Sequence, residues 1–277
     1  MRCILVATDL GSGAHNAFGR ACRIARETHA ALHILHATAS GTSFESGSAI
    51  RRRLHDEAEA FTQTPPLVEL DLSIRLSQAE PVTAILDEAA RLEPDLIILG
   101  AHEEPRFRDV FFGTTASRVS SDAAQPVLVV QNDYRRNYAR VMAAVEEDRA
   151  DEVLRLACSI ASMHALYVVH AYGSATQSLF GYGDLLEDVR ADQKAKIEQV
   201  LARMYAPGAK RPEVHSIVEE GEVMSVLMRE WDKAKPDLVV IGTHGRHGLA
   251  RLLQASVAEA VLLGCPSDIL VMPARAA

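Results

Sequence analysis

The sequence predicts an α/β fold built twice: two tandem, doubly wound domains, each with a mainly parallel five-stranded sheet. Three observations predict it. First, Pro94-Asp95-Leu96-Ile97-Ile98-Leu99-Gly100 returns as Pro236-Asp237-Leu238-Val239-Val240-Ile241-Gly242, with only aliphatic exchanges. A repeat half a chain apart marks duplication of a whole domain rather than a solenoid. Second, the apolar runs Leu96–Leu99 and Leu238–Ile241 show no polar alternation, as expected of strands buried on both faces. Third, such runs alternate with segments of helical period, which is the pattern of a parallel sheet with crossover helices.

Each element follows in order. Cys3–Ala7 reads as a buried strand ending at Thr8-Asp9, and Gly11-Ser12-Gly13 as a turn. Ala14–Thr28 carries Ala17, Ala21, Ile24, Ala25 and Thr28 at helical spacing, with Arg20, Arg23, Arg26 and Glu27 expected outward. Leu32–Ala37 is a strand and Ser48–Phe61 a charged helix, closed by Pro65-Pro66. Leu67–Leu76 reads as a strand. Pro81 opens a helix to Leu92, where proline suits the first turn. The strand Asp95–Leu99 ends at Gly100. An irregular basic and aromatic segment, 105–112, leads to Gly113-Thr114-Thr115, a helix to about Ala124 and the strand Pro126–Val130. Asn132–Asn137 is the polar linker, which sets the domains at 1–133 and 138–277.

The pattern then restarts. Arg140–Val145 is a strand, and Ala150–His164 a helix. Leu166-Tyr167-Val168-Val169-His170-Ala171 repeats Leu32-His33-Ile34-Leu35-His36-Ala37. Asp184–Tyr205 is a long helix, Glu213–Val218 a strand and Glu222–Lys233 a helix. After Leu238–Ile241 comes a glycine loop, then a helix from Ser256 and the strand Asp268–Met272.

Composition narrows the function. The 277 residues are 48% hydrophobic, enough for a core in each half. A net charge of −8 and a pI near 5.8 argue against a nucleic-acid binder reading phosphates through a basic surface. Four scattered cysteines without C-x-x-C spacing point to a reducing, cytoplasmic setting. The apolar run at the N-terminus is too short for a signal peptide, and no run approaches a membrane span.

The chemistry is expected beyond the carboxyl ends of the strands, where parallel sheets hold ligands. Asp9, His36, Ala37 and Gly100 fall there in the first half, and Glu146, His170, Ala171 and Gly242 in the second. Gly242-Thr243-His244-Gly245 followed by a helix with Ser256 at its cap is a recipe for an anion cradle, because free backbone N–H groups face the ligand. Arg246, His247 and Arg251 add positive charge. The same loop also reads as a tight strand-to-helix turn with ordinary surface cations. Gly113-Thr114-Thr115 reads either as a phosphate contact or as a helix cap. Asp9 suits hydrogen bonds from a ribose or adenine, and equally a cap after Gly11. His36 and His170 read as structural. His33 and His36 point to opposite faces of a strand, so one strand cannot supply both to a metal. No nucleophile–base pair, Walker lysine or metalloprotease helix is visible.

At these residues the chain resembles the universal stress protein family, over both halves nearly end to end, as a tandem of two UspA-like domains. The matching pieces are Ile4–Asp9, the strands ending His36-Ala37 and His170-Ala171, the P-D-L-x-x-x-G strands and the final apolar strands. The resemblance implies a Rossmann-like, adenine nucleotide alpha-hydrolase-like fold. It also implies an adenine-nucleotide pocket (ATP or a relative, with Mg²⁺ only alongside the nucleotide), no strong catalysis and a role in the stress response. Nucleotide-binding members carry G-x-x-G, nine residues, then G-[ST]. The second half supplies Gly242 and Gly245, then Ala255-Ser256 in place of Gly-Ser, and Glu146 in place of the aspartate. The first half supplies Asp9 and Gly113-Thr114, with Glu103 in place of the second glycine. A methyl at Ala255 is easier to accommodate than the Glu103-Glu104 carboxylates facing a polyphosphate. The second half is therefore favoured, at Gly242, Thr243, Gly245, Arg246, Ser256, Val257, Ala171 and Glu146. The second choice is Asp9, Ala37, Gly100, Gly113, Thr114 and Thr115. The competing functions are an interaction scaffold without nucleotide, a weak ATP hydrolase and a metal-binding stress protein. Family members pair through the last strand of each domain. The expected assembly is thus an internal pseudo-dimer of the two halves, with a homodimer possible, and neither nucleic acid nor membrane as a partner.

Overall fold

The structure, a computed structural model, describes residues 1–37, 47–62, 70–101, 114–146, 149–172, 183–206, 208–242 and 266–273. The chain divides into two compact units, residues 1–136 with 275–277, and residues 137–274.

In the first unit the order is β1 (Cys3–Thr8), α1 (Ser12–Thr28), β2 (Ala31–Ala37), α2 (Gly47–Thr62), β3 (Leu72–Ser77), α3 (Pro81–Leu92), β4 (Leu96–Gly100), α4 (Thr114–Asp122) and β5 (Val127–Val130). Its strands lie in the order β3-β2-β1-β4-β5, and every neighbouring pair is parallel. The chain runs outward from β1 one way, then crosses to β4 and runs the other way. That reversal between β1 and β4 is the switch point of a doubly wound sheet. The unalternated strand sequences are explained by burial: Ile4, Leu5, Val6, Leu96, Ile97 and Ile98 are fully buried, with helices packing on the sheet.

The second unit repeats the plan: β6 (Arg140–Ala144), α5 (Ala150–Ile160), β7 (Ala165–Tyr172), α6 (Gly183–Met204), β8 (Glu213–Glu220), α7 (Val223–Ala234), β9 (Leu238–Gly242) and β10 (Asp268–Met272). The order β10-β9-β6-β7-β8 is again parallel throughout.

Local devices recur at matching places. Glu80 caps α3 by accepting from Thr83 N–H, and Glu222 caps α7 by accepting from Met224 and Ser225 N–H. Both helices end in a left-handed residue, Glu93 or Lys235, with proline next, which stops the helix. Glu88 on α3 and Glu230 on α7 are buried, each held by two cations: Arg75 and Arg91 in one unit, Arg229 and Lys233 in the other. The aspartate of the repeated Pro-Asp-Leu motif is structural. Asp95 Oδ2 accepts from the backbone N–H groups of Arg2 and Cys3, and Asp237 Oδ2 from those of Ala139 and Arg140. Each aspartate thus pins the amino end of the neighbouring strand, the end away from the expected ligand.

Two expectations need correction. Arg20 does not face outward: it is 2% exposed. Its guanidinium donates to the carbonyls of Arg136 (2.7 Å) and Asp133 (3.3 Å), while Arg23 donates to those of Arg135 and Tyr134. The polar stretch after β5 folds back over α1, and its backbone carbonyls accept from the two cations. Tyr134 of that stretch stacks edge-on against Phe61 of α2. Helix α5 also stops at Ile160 instead of His164, because the N–H groups of His164 and Ala165 both bond Ala139 O and commit the chain to the sheet. The segment expected as a strand from Leu67 begins at Leu72; residues 63–69 lie outside the described residues.

Candidate functional site

Strand register decides which residues share the carboxyl end of each sheet. In the first unit Thr8 lies beside His36, and Gly100 beside Val130. Asp9, Ala37 and Gly100 therefore stand at one end, with Thr114 and Thr115 opening α4. In the second unit Ala144 lies beside Val169 and Ile241, and Gly242 beside Met272. Glu146, Ala171 and Gly242 share that end. Thr243, Gly245, Arg246, Ser256, Val257 and Gly113 lie outside the described residues, as do Glu103, Glu104, Ala255, the helix expected from Ser256 and the segment 105–112.

In the first unit Asp9 is exposed, and its Oδ1 accepts from Gly11 N–H at 2.8 Å. This is a local turn closed by an aspartate, not the cap of α1: Gly11 holds the cap position with no side-chain bond. Leu10 between them adopts the left-handed region, φ 64°, a conformation that costs a non-glycine residue about 1–2 kcal/mol. One carboxylate oxygen of Asp9 is thus committed to the turn, and the other faces away from that bond.

The two histidines at strand ends do the same structural job. His36 Nδ1 lies 2.8 Å from Thr8 O, and His170 Nδ1 lies 3.1 Å from Val145 O. A carbonyl can only accept, so Nδ1 carries the proton in both rings. Each histidine laces the second strand of its unit to the end of the first. His55, Asp56 and Glu59 on α2 stand close enough to share an ion, yet all three are exposed.

The glycines that end β4 and β9 differ in what surrounds them. A Cβ at Gly100 would lie 2.6 Å from Gly13 O and 3.2 Å from Ala14 Cα, so the first turn of α1 rests on the glycine backbone. Among the described residues, a Cβ at Gly242 would meet Val153 Cγ2 at 3.8 Å and Arg149 Nη1 at 3.9 Å, ordinary contact distances. No described backbone atom crowds Gly242 as Gly13 O crowds Gly100.

Arg149 is the residue that the sequence reading passed over. It follows Glu146-Glu147-Asp148 in the sequence, of which Glu147 and Asp148 lie outside the described residues, and its N–H donates to Glu146 O at 3.1 Å. Its Nε and Nη2 both donate to Glu152 Oε2, at 3.1 and 2.9 Å. Its Nη1 is buried and has no hydrogen-bond partner. A lone cation directly after three acids was the available signal.

Comparison with known proteins agrees with the repeated architecture. The family model described as universal stress protein family matches residues 1–131 and again 137–273. Universal stress protein A homolog 1 of Coxiella burnetii is 29% identical over 140 residues, 49% of this chain and 96% of that protein. Universal stress protein A homolog 2 of the same organism is 27% identical over 113 residues, 39% of this chain and 73% of that protein. Among solved structures, a universal stress protein from Archaeoglobus fulgidus superposes over 98% of both chains with a TM-score of 0.66 at 16% identity, a likeness of fold.

Proposed function

The chain belongs to the universal stress protein family, and from that premise we propose that it is a stress-response regulator binding one adenine nucleotide, ATP or a relative, in its second unit. The observation that carries the reading is the difference between the two strand-end glycines. The end of β4 is filled by the backbone of α1 at 2.6 Å from a Gly100 Cβ, whereas no described residue comes closer than 3.8 Å to a Gly242 Cβ. Ligands of such sheets bind beyond the carboxyl ends at the switch point, and Glu146, Ala171 and Gly242 stand at that end of the second unit. The loop Thr243-His244-Gly245-Arg246, with Ser256 and Val257 beyond it, supplies backbone N–H groups and positive charge for phosphate. Mg²⁺ enters only with the nucleotide, held by its phosphates and the acidic corner. The proposed role is regulatory rather than catalytic.

The reading extends to assembly and location. The apolar strands β5 and β10, with Val127–Val130 and Ile269–Met272, stand last in the strand orders of their own units, and such an apolar edge is an aggregation hazard unless covered. The setting is cytoplasmic, in keeping with unpaired Cys3, Cys22 and Cys158. No helix among the described residues is long and apolar enough to cross a membrane.

Calorimetric titration with ATP tests the reading, on the unmodified protein and on two variants. Gly245→Glu copies the first unit's acidic loop into the second and is expected to abolish binding, while Gly113→Ala leaves it intact. The reverse pattern moves the site to the first unit. Absence of heat at millimolar ATP, with no nucleotide in the mass spectrum of the heat-released supernatant, leaves an interaction scaffold as the better account.

A further inference from the structure

We infer that Arg149 is the residue of the second unit that holds the phosphate-bearing end of its ligand. The inference rests on the nucleotide reading above and adds a contact that lies outside the glycine loop.

Three features of the guanidinium carry it. Two of its nitrogens are spent: Nε and Nη2 both donate to Glu152 Oε2, which fixes the plane of the group. The third nitrogen, Nη1, is buried without an acceptor, although the Arg149 side chain as a whole is only 13% exposed. A buried donor on a charged group is costly when unmet, and such groups in folded proteins are nearly always satisfied. The orphan also has a defined place, 3.9 Å from the Cβ position of Gly242. That is the carboxyl end of β9, where β9 neighbours β6 and the chain's direction of winding reverses.

Among the described residues the first unit has no counterpart. There the corresponding space at Gly100 is taken by Gly13 O, an acceptor that would repel an anion. In the second unit no described backbone atom approaches Gly242 so closely, and a guanidinium edge stands beside it. Arginine suits this task because its planar fork can spend one edge on a carboxylate and still present another donor in a fixed direction. The acceptor that completes it must reach a buried point and carry concentrated negative charge, and a phosphate oxygen does both. Glu152 neutralises much of the arginine's charge, so discrimination comes from the directed N–H and not from a diffuse field.

The test is titration of the full chain with ATP, adenosine and inorganic pyrophosphate, for the unmodified protein, Arg149→Met and Arg149→Lys. Arg149→Met is expected to weaken ATP at least tenfold and to leave adenosine unchanged, with Arg149→Lys intermediate. The methionine variant also loses the ion pair with Glu152, and its thermal transition separates lost binding from lost fold. ATP bound equally by the unmodified and Met proteins overturns the inference and leaves the nucleotide reading standing. Tighter ATP binding by the Met variant also overturns it, and marks Arg149 as a plug. If the unmodified protein binds no ATP, the nucleotide reading fails, and pyrophosphate decides the rest. Binding lost in the Met variant upholds Arg149 as an anion contact, whereas no pyrophosphate binding by the unmodified protein refutes it.

Discussion

Replacing each strand-end glycine by alanine should move stability in opposite directions. At Gly100 the new methyl would sit 2.6 Å from Gly13 O and 3.0 Å from Gly13 C. Both are backbone atoms, so no side chain can swing aside. Either α1 moves off the sheet or β4 shifts, and overpacking of this kind costs about 1–3 kcal/mol. Helix α1 covers Ile4–Val6 and Ile97–Leu99, all buried, so a retreat would also loosen the core. At Gly242 the nearest atoms of the described residues are 3.8 and 3.9 Å away, and against these the methyl gains contact without strain. Alanine there also restricts the unfolded chain, a gain of about 0.4–1 kcal/mol where the backbone conformation suits it. Differential scanning calorimetry on both variants reads the result. For a unit of this size, each kcal/mol shifts the midpoint by roughly 2–5 °C. Gly100→Ala should lower the first unit's transition by about 3–10 °C, and Gly242→Ala should leave the second unchanged or slightly raised. Equal losses in the two variants, or no loss at Gly100, would refute the close approach of α1 to β4 and with it the contrast between the two units.

Other outcomes follow from the same contacts. Arg20→Met removes charge-assisted bonds to the carbonyls of Arg136 and Asp133 and should cost about 2–3 kcal/mol in denaturant unfolding, with faster proteolysis after β5; an unchanged midpoint would restore the outward-facing expectation. Partial burial pushes the Asp95 carboxyl up, but the backbone N–H groups of Arg2 and Cys3 more than compensate and hold it below its ordinary value of 3.8. Its contribution is therefore complete above about pH 4 and is lost as pH falls through the lowered folded value, so Asp95→Asn should flatten the acid side of a stability–pH profile. Burial pushes the Cys22 thiol up to about 12, assisted by Glu57, and burial also raises Cys158. Iodoacetamide at pH 8 should leave Cys22 unmodified in the native protein and label it after denaturation, as read by mass spectrometry. Residues 1–133 expressed alone should dimerise or aggregate through β5; a clean monomer in light scattering counts against β5 as an adhesive apolar edge.

The fold class was legible because burial on both faces is written directly into the strands: a run such as Leu96–Leu99 has one simple reading. Helix ends were legible where backbone chemistry forces them, as at Pro81 and Pro94. They were not legible at Ile160, where the deciding acceptor, Ala139 O, lies just before the strand β6. Arg20 was misread because helical spacing shows which residues share a face, not what later chain folds over that face. The repeated Pro-Asp-Leu motif drew attention as part of a ligand strand. A repeat marks whatever both copies need, and here the aspartate pins the strand's opposite end. For the candidate site, positions at strand ends followed from the strand bounds themselves. The orphaned nitrogen of Arg149 did not, since it depends on how far α5 stands off β9, a distance no local pattern encodes.

The central claim is that the second unit, and not the first, takes the nucleotide. Backbone amide NMR of the full chain during titration with ATP tests it most directly, because glycine amides stand at both candidate places. The account predicts saturable shifts at Gly242, Gly245 and Ala171, with Gly100 and Gly113 unmoved. Shifts at Gly100 and Gly113 with Gly242 unmoved, or no saturable shift at any of the five, would contradict it.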